Sequence, residues 1–113
     1  MNRRKRYIFL FDATKININP VNVKMAAGYP ATFYCGASGY QNSYSWEERA
    51  PGTTWSESYQ FGAKSPLLKV VARASLNGYQ YRCKVTNGGN VFYSGAATLT
   101  VVEVAVSGTT GKL

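Results

Sequence analysis

Two cysteines, Cys35 and Cys83, and one adjacent pair of carboxylates, Glu47 and Glu48, are the side chains best suited to chemistry in this 113-residue chain. There is no histidine, so the commonest metal ligand and the usual near-neutral general base are both missing. Neighbouring carboxylates on an extended strand point to opposite faces, so Glu47 and Glu48 cannot share a substrate. Serines and threonines are plentiful. Without histidine, however, a hydroxyl nucleophile needs lysine as its base, and no Ser and Lys spacing stands out. The expectation is a chain that binds and assembles, with no catalytic residues, no metal and no cofactor. The cysteines are read either as one bridge or as two buried thiols acting as small hydrophobes.

The elements that would position these residues are strands. Helix formers are sparse and out of phase, whereas Val, Thr, Tyr and Phe are frequent, and 11 glycines and 4 prolines punctuate the chain. Ile16, Ile18, Pro20, Val21, Val23 and Met25 read as an edge strand that switches sheets at its proline. Ala31, Phe33, Cys35 and Ala37 alternate next, and the Gly36 to Ser43 region breaks into a loop. Tyr44 and Trp46 start another strand. Ala50, Pro51, Gly52 and Thr53 form a turn, and Trp55 opens the strand beyond it. Leu67, Leu68, Val70, Val71 and Ala72 make a strongly apolar strand. Tyr79, Tyr81, Cys83 and Val85 alternate up to a hairpin tip at Asn87, Gly88, Gly89 and Asn90. Val91, Tyr93, Ala97, Leu99 and Val101 close the set. Seven or eight short strands in one domain of this size predict a sandwich or a barrel.

Cys35, then Trp46 eleven residues later, then Cys83 match the Cys, Trp, Cys arrangement of immunoglobulin domains. Tyr81 stands two residues before Cys83, where the tyrosine corner belongs, with Asn77 in place of the usual Asp. The stretches Ser75 to Asn87 and Ala96 to Val102, with Tyr44, Ser45, Trp46 and Gly52 to Trp55, resemble bacterial and bacteriophage Ig-like domains. The resemblance covers about Ile16 to Val102. It implies an all-β, Greek-key β-sandwich of seven to eight antiparallel strands, with Cys35, Cys83, Trp46 and Tyr81 at its centre. A bridge between the cysteines would close a loop worth about 4 kcal/mol in the chain-entropy model. The implied domain is residues 16–104, between an N-terminal arm (1–15) and a flexible tail (105–113). Such domains serve as repeated modules of surface adhesins or as accessory domains on phage capsids and tails.

The arm carries the run Arg3, Arg4, Lys5 and Arg6, followed by Tyr7, Ile8, Phe9, Leu10 and Phe11. The chain has 13 bases and 5 acids; without the run, 9 against 5 leaves about +4, half the total of +8. Five apolar residues before Asp12 fall short of the roughly 7–15 of a secretion signal's core. No stretch approaches the ~20 residues of a membrane span, so no membrane partner is expected. Four bases could bind phosphates weakly, but no base-stacking or base-reading motif accompanies them, so nucleic acid is not the expected partner. Docking on a phage capsid or tail protein, with self-association as a further option, suits the arm. The virion is then the expected location, and the alternative is a bacterial cell-surface or secreted adhesin module. At the loop end, Tyr40, Asn42, Tyr44, Asn87, Asn90 and Tyr93 are the candidate contacts for a surface glycan, because tyrosine offers rigid area with a hydroxyl handle.

Overall fold

The computed structural model describes residues 13–103. The arm residues Arg3 to Phe11 and the whole tail, 105–113, therefore lie outside the described residues. Ten strands fold into two layers: β1 (Lys15–Ile18), β2 (Val23–Ala26), β3 (Pro30–Tyr34), β4 (Gly36–Ser38), β5 (Ser43–Arg49), β6 (Ser56–Glu57), β7 (Leu67–Val71), β8 (Gln80–Asn87), β9 (Asn90–Tyr93) and β10 (Ala97–Val102). One 3-10 turn, Ala74–Leu76, precedes β8.

One layer has β1 on β4 and β3 on β7, and β3 and β4 are consecutive parts of one strand interrupted at Cys35. The other layer runs β2, β10, β8, β5, β6, with β9 continuing the β10 side of β8. The proline switch in the first strand is real: β1 pairs with the first layer, Pro20 is buried, and β2 joins the second. That second pairing is parallel to β10, which departs from an all-antiparallel expectation. A strand that crosses between layers without reversing direction must arrive parallel to any strand running its own way. Two asparagines hold the crossing. Asn19 Oδ1 accepts from Gly95 N–H at 2.8 Å and Asn22 Oδ1 from Thr98 N–H at 2.8 Å, where β9 gives way to β10.

The core lies between the layers. Trp46, Tyr81, Phe33, Leu68, Leu99, Val70, Val85, Cys35 and Cys83 are fully buried. Phe33 and Tyr81 meet across the layers at a ring separation of 5.0 Å. The Trp46 indole N–H donates to Ser65 O at 2.7 Å, which satisfies the one polar atom that its burial removes from water.

Two local expectations change. Gly36 to Ser38 belong to strand β4 rather than to the loop, because they pair with β1. Only Ser56 and Glu57 pair after the Pro51 turn, with Trp55 just outside the strand. In β7, Leu68 and Val70 are buried but Leu67 and Val71 are exposed, because among the described residues no second layer covers that face of the sheet.

The connection from β6 to β7 turns on Gly62 at φ +81, and a Cβ there would run into the Leu67 carbonyl oxygen. Gly28 also has positive φ, +94, but open space around it. Gly62→Ala should therefore cost roughly 1–3 kcal/mol in urea unfolding, and more than Gly28→Ala. Equal midpoints for the two variants would contradict the clash.

Candidate functional site

Strand alternation splits the chemistry-bearing residues between two surfaces. In β5 and β8 the register sets Trp46 opposite Cys83, Glu47 opposite Arg82 and Glu48 opposite Tyr81. Trp46, Tyr81 and Cys83 face inward, so Glu47 and Arg82 face out. Glu48 accepts from Ser58 Oγ at 2.8 Å while Glu47 Oε1 accepts from Arg82 Nε at 2.8 Å, so the two carboxylates serve opposite faces.

Inside, Cys35 and Cys83 are separate buried thiols, and Cys83 Sγ donates to Lys84 O at 3.9 Å. The neighbouring Cys83 thiol favours ionisation of Cys35 against its burial. The Cys35 sulfur, with burial, drives the Cys83 thiol far up. Burial shuts both sulfurs off from reagents.

Tyr81 departs from the tyrosine-corner expectation. Its Oη is buried without a hydrogen-bond partner among the described residues. The Asn77 side chain instead accepts from Val101 N–H at 2.8 Å, tying the corner to the last strand. Burial, then the nearby Glu48 charge and Tyr79, push the Tyr81 phenol well above its usual range.

At the loop end, the asparagines are engaged internally. Asn42 Oδ1 accepts from Thr14 Oγ1 at 3.0 Å and from Asn87 Nδ2 at 3.0 Å, while Asn42 Nδ2 donates to Ser38 O at 2.8 Å. Asn87 Nδ2 also donates to Tyr40 O at 2.6 Å. Tyr40, Gln41, Asn87 and Asn90 line an open depression with Ala13, Thr14 and Phe92. Tyr44 is half-buried against the core, and Tyr93 stands on the outer face of the second layer opposite Lys84. The six loop residues therefore do not form one surface: four gather at the pole and two lie elsewhere.

The most concentrated side-chain assembly outside the core was not singled out from the sequence. The Arg82 guanidinium lies 4.5 Å from the Trp55 ring centre and 4.2 Å from that of Tyr93, and Arg49 lies 4.4 Å from Trp55. The result is a ladder of Tyr93, Arg82, Trp55 and Arg49 across β9, β8 and the end of the β5–β6 turn. Arg49 Nε donates to Gln80 Oε1 at 2.8 Å, and Gln80 Nε2 to Thr98 Oγ1 at 3.2 Å. Beside it, Lys64 bonds Glu57 at 2.6 Å and Ser45 Oγ at 3.1 Å, and holds the Glu57 carboxyl below its ordinary range. The signal was present: the alternation that sends Tyr81 and Cys83 inward sends Arg82 and Lys84 outward.

Solved structures share this arrangement of layers. The chain is similar to tandem Ig repeats of Dlar, with a TM-score of 0.65 and 19% identity over 80% of this chain and 49% of that one. It thus spans about half the length of that structure. The fold is immunoglobulin-like. The Ig-like domain is also similar to a chimeric titin Z1Z2 carrying an exogenous decorin peptide, with a TM-score of 0.57 and 26% identity over 83% of this chain and 98% of that one. A complex of titin M10 with an obscurin-like 1 Ig mutant gives a TM-score of 0.58 and 21% identity, covering 83% and 97%. No family model matches the chain, and no curated protein matches it.

Two outcomes follow from the interior of the Ig-like domain. Because Tyr81 Oη bonds nothing among the described residues, Tyr81→Phe should be neutral or stabilising, whereas loss of a formed corner bond would cost about 1 kcal/mol or more. The phenol is neutral in both states below about pH 10, and above it only the unfolded chain ionises readily. Wild-type stability should therefore fall as pH rises past that point, and Tyr81→Phe should flatten the fall in chemical denaturation. Thiol titration should find both cysteines inert in the native state and reactive in denaturant; rapid native labelling would contradict their burial.

Proposed function

We propose that this Ig-like domain is a non-enzymatic accessory module of a bacteriophage particle, docked on a capsid or tail protein through residues 2–11. The reading draws on the resemblance of Ile16 to Val102 to phage Ig-like domains and on the basic and apolar makeup of the arm. The observation that carries it is where the chain enters the domain. Ala13 O accepts from Ser38 Oγ at 3.1 Å, and Thr14 is bonded to Asn42. The arm thus joins the domain at the pole formed by Tyr40, Asn42, Asn87 and Asn90. The β2–β10 connection at Val102, whose carbonyl accepts from Ala27 N–H at 2.9 Å, marks the opposite pole.

This placement separates two roles that the sequence left together. An arm anchored in a partner brings the loop pole against that partner, so the loops form part of the footprint and are not displayed. Asn42 and Asn87, already bonded to backbone and to each other, suit a rigid base better than a glycan site. The displayed surfaces are the outer sheet faces and the far pole.

Deletion of residues 2–11 tests this. The full chain should sediment with isolated particles, and the deletion variant should remain in the supernatant with an unchanged melting temperature. Salt should weaken the full-length interaction, because four of its contacts are charges. Equal particle association by both forms would overturn arm docking. Recovery on bacterial envelopes in place of particles would favour the adhesin alternative.

A further inference from the structure

The outer face of β5, β8 and β9 points to a second contact surface, independent of the arm. We propose that this face, centred on Trp55, Arg82 and Tyr93, docks an acidic polypeptide surface.

Three features of the face point that way. Tryptophan, arginine and tyrosine are the residue types that dominate binding energy at protein interfaces. Here they are already stacked, with Arg82 held between two rings and fixed by Glu47. Such prior ordering lowers the side-chain entropy lost on binding. Tyr93 is 48% exposed, so the ladder reaches solvent.

The second feature is charge. The face carries Arg49, Lys64, Arg82 and Lys84 against Glu47 and Glu57. Among the described residues the ion pairs are Arg82 with Glu47 and Lys64 with Glu57. Arg49 and Lys84 make no salt bridge there, Lys84 feeling Glu57 only at longer range, and four bases against two acids leave the face net positive. Two copies meeting through it would oppose like charges, which disfavours self-association. An acidic partner meets the same charges favourably, and arginine's remaining N–H groups suit carboxylate oxygens.

The third feature argues against a nucleic acid. Each ring in the ladder already carries a guanidinium, so the rings are not presented as stacking platforms for bases. Glu47 and Glu57, opposite each other on β5 and β6, interrupt the positive charge that a phosphate backbone would track. The hydroxyls of Ser43, Ser45 and Thr86 on neighbouring rows supply the polar rim common at protein contacts.

Titration of the isotopically labelled full chain with an oligoglutamate peptide tests the proposal. Amide shifts are expected at Arg82, Lys84 and Tyr93 and at the Trp55 indole. They should persist when Arg3, Arg4, Lys5 and Arg6 are all changed to Ser. Lys84→Glu should weaken binding by about tenfold or more through charge reversal while the amide spectrum stays that of the folded domain, since Lys84 makes no salt bridge among the described residues and feels Glu57 only at longer range. Shifts confined to the arm would overturn the proposal while leaving arm docking intact. It would also fail if polyphosphate shifted the same amides as strongly, if Lys84→Glu bound equally well, or if those amides shifted with protein concentration alone as a dimer formed.

Discussion

The pairing of β5 with β8 is the constraint on which the rest of the structure depends. With Trp46 opposite Cys83, the indole and both thiols lie inside and the Phe33 and Tyr81 rings meet across the layers. The same register puts Glu47 opposite Arg82 on the outside, where Arg82 can reach both Trp55 and Tyr93. A slip of one residue would send every side chain of the strand to the wrong face. Core and outer ladder are therefore two consequences of one alignment.

Side-chain amides do much of the remaining stitching. Asn19 and Asn22 bond the β9–β10 region where the edge strand changes layers, Asn77 bonds the last strand, and Asn42 and Asn87 tie the chain's entry to the hairpin tip. Each supplies an acceptor or donor where the ladder of backbone bonds is interrupted, which is how irregular segments avoid buried unpaired groups. The loop pole is therefore held together by its own side-chain amides, as a rigid base for the proposed docking would need.

Much of the fold was legible in the sequence because burial imposes a period of two. Ala31, Phe33 and Cys35, and Tyr81, Cys83 and Val85, announced their strands and inward faces correctly, and Pro20 marked the layer switch. The apolar run Leu67 to Val71 announced its strand, but such a run does not reveal which of its faces is covered, and Leu67 and Val71 are exposed. Gly36 to Ser38 read as loop because their pairing partner, β1, is 18 to 23 residues away in sequence. Tyr81 lacks the corner bond because that bond depends on where a hydroxyl ends up, which spacing alone does not determine. The Arg82 ladder was harder still: Trp55, Arg82 and Tyr93 come from three segments, and only the registers of β5 and β9 on β8 bring them together.

The account thus reduces to an Ig-like sandwich that places packing on one side of β5 and β8 and the Arg82 ladder, the proposed contact face, on the other. In that register Trp46 and Cys83 direct their backbone bonds away from each other, Trp46 to Ala63 and Ser58 and Cys83 to Ser94. They form a non-hydrogen-bonded pair, in which the α-carbons approach to about 4.5 Å. The most direct measurement is the cross-strand Hα to Hα nuclear Overhauser effect in the full chain. A strong effect between Trp46 and Cys83 is the predicted result; one between Trp46 and Arg82 or Lys84 would contradict the register and, with it, both faces of the account.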